Sequence, residues 1–293
     1  MIKKSISYRV FTVFNYIILT LIALMCLYPF YYVILASISD PAEFMRHNGL
    51  LIAPLGNLTL DGYQMVFKYK LVLSGFQNTF FVLFVGLVVN LIMTVLGAYV
   101  LSIKDLMLRK PLSIMIVITM YFSGGMIPTY LNVKGLGMLD SLWSLIIPGA
   151  ISTSNMLIMR SAFLSVPDSL PEAAKIDGAT HLQILNKVMM PLVKPTLAVM
   201  VLYYGVSHWN AWFNSSIYLR TPSKFPLQLV LRNILVDNQM GDMMVDIASD
   251  RTPMMQVLLK YSLIVVSSVP IICIYPFLQR FFKKGVMIGA VKG

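Results

Sequence analysis

Charged side chains are scarce in this sequence: Asp, Glu, Lys and Arg make up 12% of its 293 residues, about half the share usual in soluble domains. So few charges could not cover a soluble surface without leaving large apolar patches, and soluble fold classes are thereby excluded. Acidic residues are the scarcer sign, 12 against 23 Lys and Arg. Only two cysteines occur, Cys26 and Cys273, both inside apolar runs. A disulfide framework is therefore excluded, and each suits the role of a small apolar filler. The three histidines, His47, His181 and His208, are scattered without metal-ligand spacing, and no metal site or catalytic residue is assigned. No Gly-x-x-x-x-Gly-Lys-Ser/Thr loop is present, so this chain has no phosphate cradle of its own. What is abundant is apolar, 58% of residues, with a mean hydropathy of +0.77. The class left is an all-α polytopic integral membrane protein.

Crossing ~30 Å of hydrocarbon takes a helix of ~20 mostly apolar residues. Six stretches meet that test: 11–38, 74–103, 112–131, 142–164, 196–219 and 257–281. They make one transmembrane domain over residues 1–293, with outer loops at 39–73 and 220–256. Lys3, Lys4 and Arg9 precede the first stretch, as in a signal peptide. Its apolar region is about twice a signal's length, however, so it reads as a retained anchor. Six spans place both termini on one side. That face, with the loops at 104–110 and 160–195, carries 14 of the 23 Lys and Arg but only four of the 12 acidic residues. By the positive-inside rule it is the cytoplasmic face. Orientation and contact with anionic membrane lipid account for the basic excess, so no nucleic-acid partner is required.

One cytoplasmic loop stands apart, the polar segment 166–195. Its charges, among them Asp168, Glu172, Lys175 and Asp177, would each cost ~2.5 kcal/mol or more at mid-membrane, so it stays in water or against another protein. It reads as two short helices. Ser169 can cap the first, with Pro171 in its opening turn and Glu172 near the positive end. Gly178 supplies a left-handed residue to end it. Thr180 and Gln183 give the second helix a capping-box start, and Pro191 is expected to stop it. Ala173 and Ala174 thin one face of the first helix, which suits close docking of a partner. A solvated connector helix would use the same alanines simply for helicity.

Glu172-Ala173-Ala174, Gly178 at the sixth position after the glutamate, and Pro191 closing the segment resemble the EAA loop of type I ABC importer permeases. Val188 and Met190 stand where that family usually has Ile and Leu, both apolar exchanges; Asp177-Gly178-Ala179 matches a common continuation. The likeness runs along nearly the whole chain, through Met126-Ile127-Pro128, Val133 to Gly137, Met159 to Phe163 and the tail Lys284 to Gly293. It is nearest to carbohydrate-uptake permeases such as the shorter maltose-type subunit, and to those for oligosaccharides and polysaccharide fragments. The resemblance implies a permease in the cytoplasmic membrane of a prokaryote. Its partners would be a homologous second permease, two ATPase subunits carrying ATP and Mg, and an extracytoplasmic solute-binding protein delivering an oligosaccharide. It gives Glu172 a basic partner on the ATPase, makes Ala173 and Ala174 close-packing positions and Gly178 the turn. The tail residues Ile288, Gly289, Val291 and Lys292 would insert between the ATPase subunits. Lys283 and Lys284 equally suit a tail lying on anionic lipid.

Sugars are held by aromatic faces and planar hydrogen-bonding groups. The densest such cluster is Trp209, Asn210, Trp212, Phe213 and Asn214, which resembles the Trp-Asn segment of sugar permeases. Trp209 and Asn210 are pathway candidates; Trp212 also suits an interfacial aromatic belt, and Asn210 an interhelical hydrogen bond. Tyr121, Asn155 and Tyr204 are further candidates, each equally able to serve packing. Residues 225–236 carry an apolar stripe (Leu227, Val230, Leu231, Ile234, Leu235) suited to lying along the outer interface. Asp237, Asp242, Asp246 and Asp250 follow as an acidic outer loop that suits either solvent or a binding protein. A permease for a glycerol-phosphate-type solute remains open. A secondary transporter would place carboxylates at mid-span, and a membrane-embedded transferase would need acidic or His clusters at a membrane face. The sequence offers neither.

Overall fold

With no water to satisfy backbone groups inside a bilayer, an apolar chain closes its hydrogen bonds within helices. The computed structural model describes residues 6–236 and 252–290, and every regular element among them is helical. The helices are α1 (Ile6–Ile38), α2 (Pro41–Arg46), α3 (Asp61–Lys68), α4 (Lys70–Ser102), α5 (Arg109–Tyr121), α6 (Met126–Gly135) and α7 (Thr153–Leu164). There follow α8 (Ser169–Ile176), α9 (His181–Leu192), α10 (Lys194–Trp209), α11 (Trp212–Tyr218), α12 (Leu227–Leu235) and α13 (Thr252–Ala290).

The chain forms two units. In the first, residues 1–69 and 233–269, a small core of Leu35, Ala36 and Leu51 packs with Phe44 and Tyr261. Asp40 caps α2 by accepting from the Ala42 and Glu43 amides at 2.9 and 3.2 Å, and Pro41 opens the helix. The second unit, residues 70–232 and 270–293, is organised around α4. Its buried side chains include Gly75, Thr79, Gly86, Asn90, Thr94 and Ala98, recurring every three or four residues along one face. Small and polar residues line that face because between helices in lipid, close backbone approach and hydrogen bonds bind where apolar burial cannot. On another face Phe84 and Val88 are exposed, as lipid contact requires.

Val10–Ile38, Lys70–Ser102 and Met254–Ile274 are long and apolar enough to cross a membrane, matching the first, second and sixth expected spans. The third, 112–131, is not one helix: it breaks at residues 122–125, and α5 and α6 meet at 113°. Gly125, at φ +88°, makes the turn. The fourth begins as a 3₁₀ turn (Leu142–Leu145), runs through non-helical residues 146–152 and becomes helical only at α7. In the fifth, Asn210 and Ala211 interrupt the helix between α10 and α11. Counting each bent pair as one span gives up to five spanning elements among the described residues.

The amphipathic stripe at 225–236 also differs from expectation. Leu227, Leu229, Val230 and Ile234 are buried in protein, whereas an interfacial helix would turn them to lipid. Gly75 of α4 admits the start of α12 so closely that a Cβ there would lie 3.2 Å from the Leu227 Cα. The Leu227 amide donates to Thr79 Oγ1 at 2.9 Å.

At one end of this unit Asp140, in the left-handed region at φ +55°, ties the turn after α6 to the chain leaving α11. Its carboxylate accepts from the Arg220 and Thr221 amides, the Thr221 hydroxyl and Lys224 Nζ. These hydrogen bonds, the Arg220 amide first, hold its pKa well below the ordinary 3.8. The charged form is thus favoured by folding. Its contribution is complete above the ordinary carboxylate pKa and is lost as pH falls through the depressed native value. Asp140→Asn should therefore lower the melting temperature at pH 7 and flatten its decline below about pH 4. An unchanged acid limb would contradict this role.

Candidate functional site

Residues 146–152 are irregular backbone within an otherwise apolar helical unit, and such backbone needs partners. α4 and α10 supply them. Asn90, fully buried, donates through Nδ2 to the carbonyls of Gly149 and Ala150 at 2.7 and 3.0 Å. Its Oδ1 lies 2.6 Å from His208 Nε2. One turn along α4, Thr94 pairs with the Tyr204 hydroxyl at 2.7 Å, which also accepts from the Ser152 amide at 3.0 Å. Ser152 then caps α7.

This fixed backbone walls a cavity of about 710 Å³, a volume in the usual range for ligand sites. Ser152 and Asn155 line one side; Tyr203, Tyr204, Ser207 and His208 of α10 line the other, with Asn214 of α11. The lining mixes polar and apolar groups and is uncharged: among the described residues it contains no Asp, Glu, Lys or Arg. Two expected pathway residues, Asn155 and Tyr204, fall in this wall. Tyr204 is also a structural tie.

The other candidates lie elsewhere. Tyr121 ends α5 with 78% exposure. Trp209 is buried edge-on against Phe80 and lines a separate, almost wholly apolar groove of about 280 Å³. Asn210 is exposed at the end of α10 and bonds back to the Val206 carbonyl at 2.9 Å. Trp212 is partly exposed, with the Arg232 guanidinium 5.1 Å from its ring centroid. The Trp-Asn cluster is thus dispersed because the helix breaks at Asn210 and sends successive residues in different directions. His208, Tyr203 and Ser207 were missed. Their only sequence signal is polarity spaced along one face of an apolar helix.

The charged loop forms the second region. Asp168, not Ser169, is the cap position of α8, and its side chain pairs with Lys104 after α4 instead of bonding the helix amides. Gly178, at φ +80°, ends α8 as expected. The Gly178 amide reaches the Lys175 carbonyl at 3.0 Å and the Ala179 amide that of Ala174 at 2.9 Å, the paired bonds of a Schellman turn. The capping box forms too, with Thr180 and Gln183 exchanging hydrogen bonds. Pro191 does not stop α9. The helix takes a wide π turn over Ile184–Met189 and continues to Leu192, bending by 87° at Val193. The wide turn gives the Lys187 carbonyl room to clear the proline ring.

α8 has no buried residue. Ala174 faces the core formed by Tyr99, Phe163 and Ile184, while Glu172, Ala173 and Asp177 face outward. Leu170 and Ile176 are also exposed, Ile176 by 87%. Asp168 at the start and the Tyr99–His181 contact of 3.2 Å beyond its end flank a pocket of about 130 Å³ beneath the helix. Of the tail, Ile288 and Gly289 lie on α13, while Val291 and Lys292, like the acidic segment from Asp237 to Asp250, lie outside the described residues.

An apolar helical body around an uncharged cavity, with a charged two-helix hairpin packed on it by one face and exposed on the other, is the build of a membrane permease. Residues 106–288 match the family described as binding-protein-dependent transport system inner membrane component, and the chain belongs to it. The polygalacturonan/rhamnogalacturonan transport system permease protein YtcP of Bacillus subtilis (strain 168) is 39% identical over 287 residues, 97% of this chain and 99% of that one. A solved chain from a bacterial ABC transporter involved in the import of the acidic polysaccharide alginate superposes with a TM-score of 0.88 at 35% identity. That match covers 96% of this chain and 100% of the other. A second solved chain comes from a bacterial alginate ABC transporter in complex with an alginate pentasaccharide-bound periplasmic protein. At 14% identity and a TM-score of 0.59, over 94% and 95% of the two chains, it shares the fold.

Proposed function

We propose that this chain is one of two homologous permease subunits of an ATP-driven importer, and that it passes an oligosaccharide from an extracytoplasmic binding protein towards the cytoplasm. The sugar assignment draws on the relatives, whose cargo is polygalacturonan, rhamnogalacturonan or alginate. The cavity between 146–152, α7 and α10 is the segment of the route that this chain contributes. With the part-helical stretch 142–164 taken as a crossing beside the other five, six crossings would put both termini and α8 in the cytoplasm, in keeping with the basic excess on that face.

The observation that carries the coupling is α8 itself. A helix with no buried residue, held by a Schellman turn and exposing Leu170 and Ile176, gains from a partner surface. That partner is an ATPase subunit carrying ATP and Mg, with Glu172, Ala173, Asp177 and Gly178 at the contact and Pro191 shaping the following helix. The tail residues Ile288, Gly289, Val291 and Lys292 reach the same subunits. In the assembled importer, Ala173→Cys is expected to cross-link to a cysteine in the ATPase cleft, more in one nucleotide state than in another. No cross-link at any ATPase position in either state would refute the docking.

A further inference from the structure

We propose that His208 reads the sugar: Asn90 fixes its ring as the Nε2–H tautomer, leaving Nδ1 as a set acceptor for a saccharide hydroxyl. The inference rests on the cavity being part of the carbohydrate route and adds the residue and the chemistry of recognition. The tautomer follows from the hydrogen-bond valence of Asn90. Its amide nitrogen is committed to two carbonyls, Gly149 and Ala150, which can only accept. The oxygen must then face His208, so Nε2 must carry the proton across the 2.6 Å contact. In the neutral ring Nδ1 has a lone pair and no proton.

The ring is placed there closely. A Cβ on Gly86 would lie 2.6 Å from His208 Nε2, so glycine at that turn of α4 is what admits the imidazole. His208 lines the cavity beside Tyr203 and Ser207, and no lining residue among those described carries a fixed charge. A lone-pair acceptor in an uncharged wall attracts hydroxyl donors and offers a carboxylate nothing. At this nitrogen the chain therefore meets a saccharide hydroxyl and not a uronate carboxylate. Sites that hydrogen-bond a substrate group in this way discriminate strongly against its absence.

The test uses the complete importer in proteoliposomes with its binding protein, probed with a neutral galacto-oligosaccharide and a galacturonate oligosaccharide of equal length. Diethylpyrocarbonate attacks an unprotonated imidazole nitrogen, and its product at His208 is read by mass spectrometry on the native protein. Whichever probe is transported should suppress that product about tenfold when present at ten times its Kd. His208→Gln, which keeps a donor and an acceptor, should retain uptake within about threefold, whereas His208→Phe, with neither, should lose about tenfold. Unsuppressed modification together with normal uptake by His208→Phe overturns the proposal. Should His208→Phe fail to assemble, the protection measurement on the native protein decides alone. Ser207→Trp, which fills the cavity and touches none of these hydrogen bonds, separates the two levels. Normal uptake by that variant removes the cavity from the route; blocked uptake without His208 protection leaves the route and refutes only the reader.

Discussion

Replacing Asn90 with leucine is expected to destabilise the permease far more than replacing Asn78, although the two asparagines do similar chemistry. Each donates to two backbone carbonyls: Asn90 to Gly149 and Ala150, Asn78 to Ser223 and Phe225 at 2.8 and 3.2 Å. Asn90 is fully buried and Asn78 is not. At Asn78 water can take the vacated carbonyls, so Asn78→Leu should cost under about 1 kcal/mol. At Asn90 the Gly149 and Ala150 carbonyls, on exposed and half-buried residues, can likewise turn to water, but the buried His208 Nε2 loses its only acceptor among the described residues, and a buried unpaired group costs ~1–3 kcal/mol. Interhelical hydrogen bonds in membrane proteins measure near the low end, ~0.6 kcal/mol on average, because the unfolded chain also finds partners in the bilayer. The expected penalty for Asn90→Leu is therefore about 1–3 kcal/mol. Denaturant-induced unfolding of the purified subunit in mixed micelles would measure it. Equal destabilisation by the two variants would mean that residues 146–152 are not held by Asn90.

The largest functional effect is expected at the hairpin. Gly178 sits at φ +80° and a Cβ there would meet no heavy atom within 4 Å, so the cost of substitution is purely conformational. For a β-branched residue that cost is ~1–2 kcal/mol, enough to unwind the Schellman turn and release the tilt of α8. Gly178→Val should leave insertion into the membrane intact and reduce sugar-stimulated ATP hydrolysis by tenfold or more, since ~1.4 kcal/mol of lost preorganisation is one decade. Glu172→Lys should have at least as large an effect, because it reverses the charge offered to the ATPase on an exposed face. Reconstituted importer, assayed for stimulated hydrolysis and uptake, gives the answer. Full stimulation in either variant would show that α8 is not the lever.

The hairpin was legible because its signals are local. Thr180 and Gln183 sit three residues apart, and Gly178 follows a short amphipathic turn; both features act through the backbone within one or two turns and survive in the structure. The long runs at 11–38, 74–103 and 257–281 were legible for a different reason: continuous apolar length leaves the chain no alternative to a helix. The breaks at 122–125, 146–152 and 210–211 were not, although Gly124-Gly125 and Pro148-Gly149 are local turn signals, because each lies inside a run whose apolar length fits a single span. Asn90, more than fifty residues earlier in the chain, and Tyr204, about fifty residues later and itself paired with Thr94, pay for the irregular backbone by supplying its missing partners. The cavity followed suit. Asn155 and Tyr204 were read as polar residues in apolar stretches, but His208, set aside as one of three scattered histidines, gained meaning only once α4 was beside α10. Trp209 and Trp212, conspicuous in sequence, turned to packing and to Arg232 because the helix parts between them.

Between Ile146, which is anchored in the core, and Ser152, which caps α7, the stretch is fastened by what every amino acid has in common, an amide and a carbonyl. A permease of this build can therefore exchange Ile151, which lines the cavity, for a bulkier or more polar residue without unpicking the fastening. The shape of the cavity wall and the integrity of the fold are carried by different atoms of the same short stretch, so the first is free to drift while the second stays put.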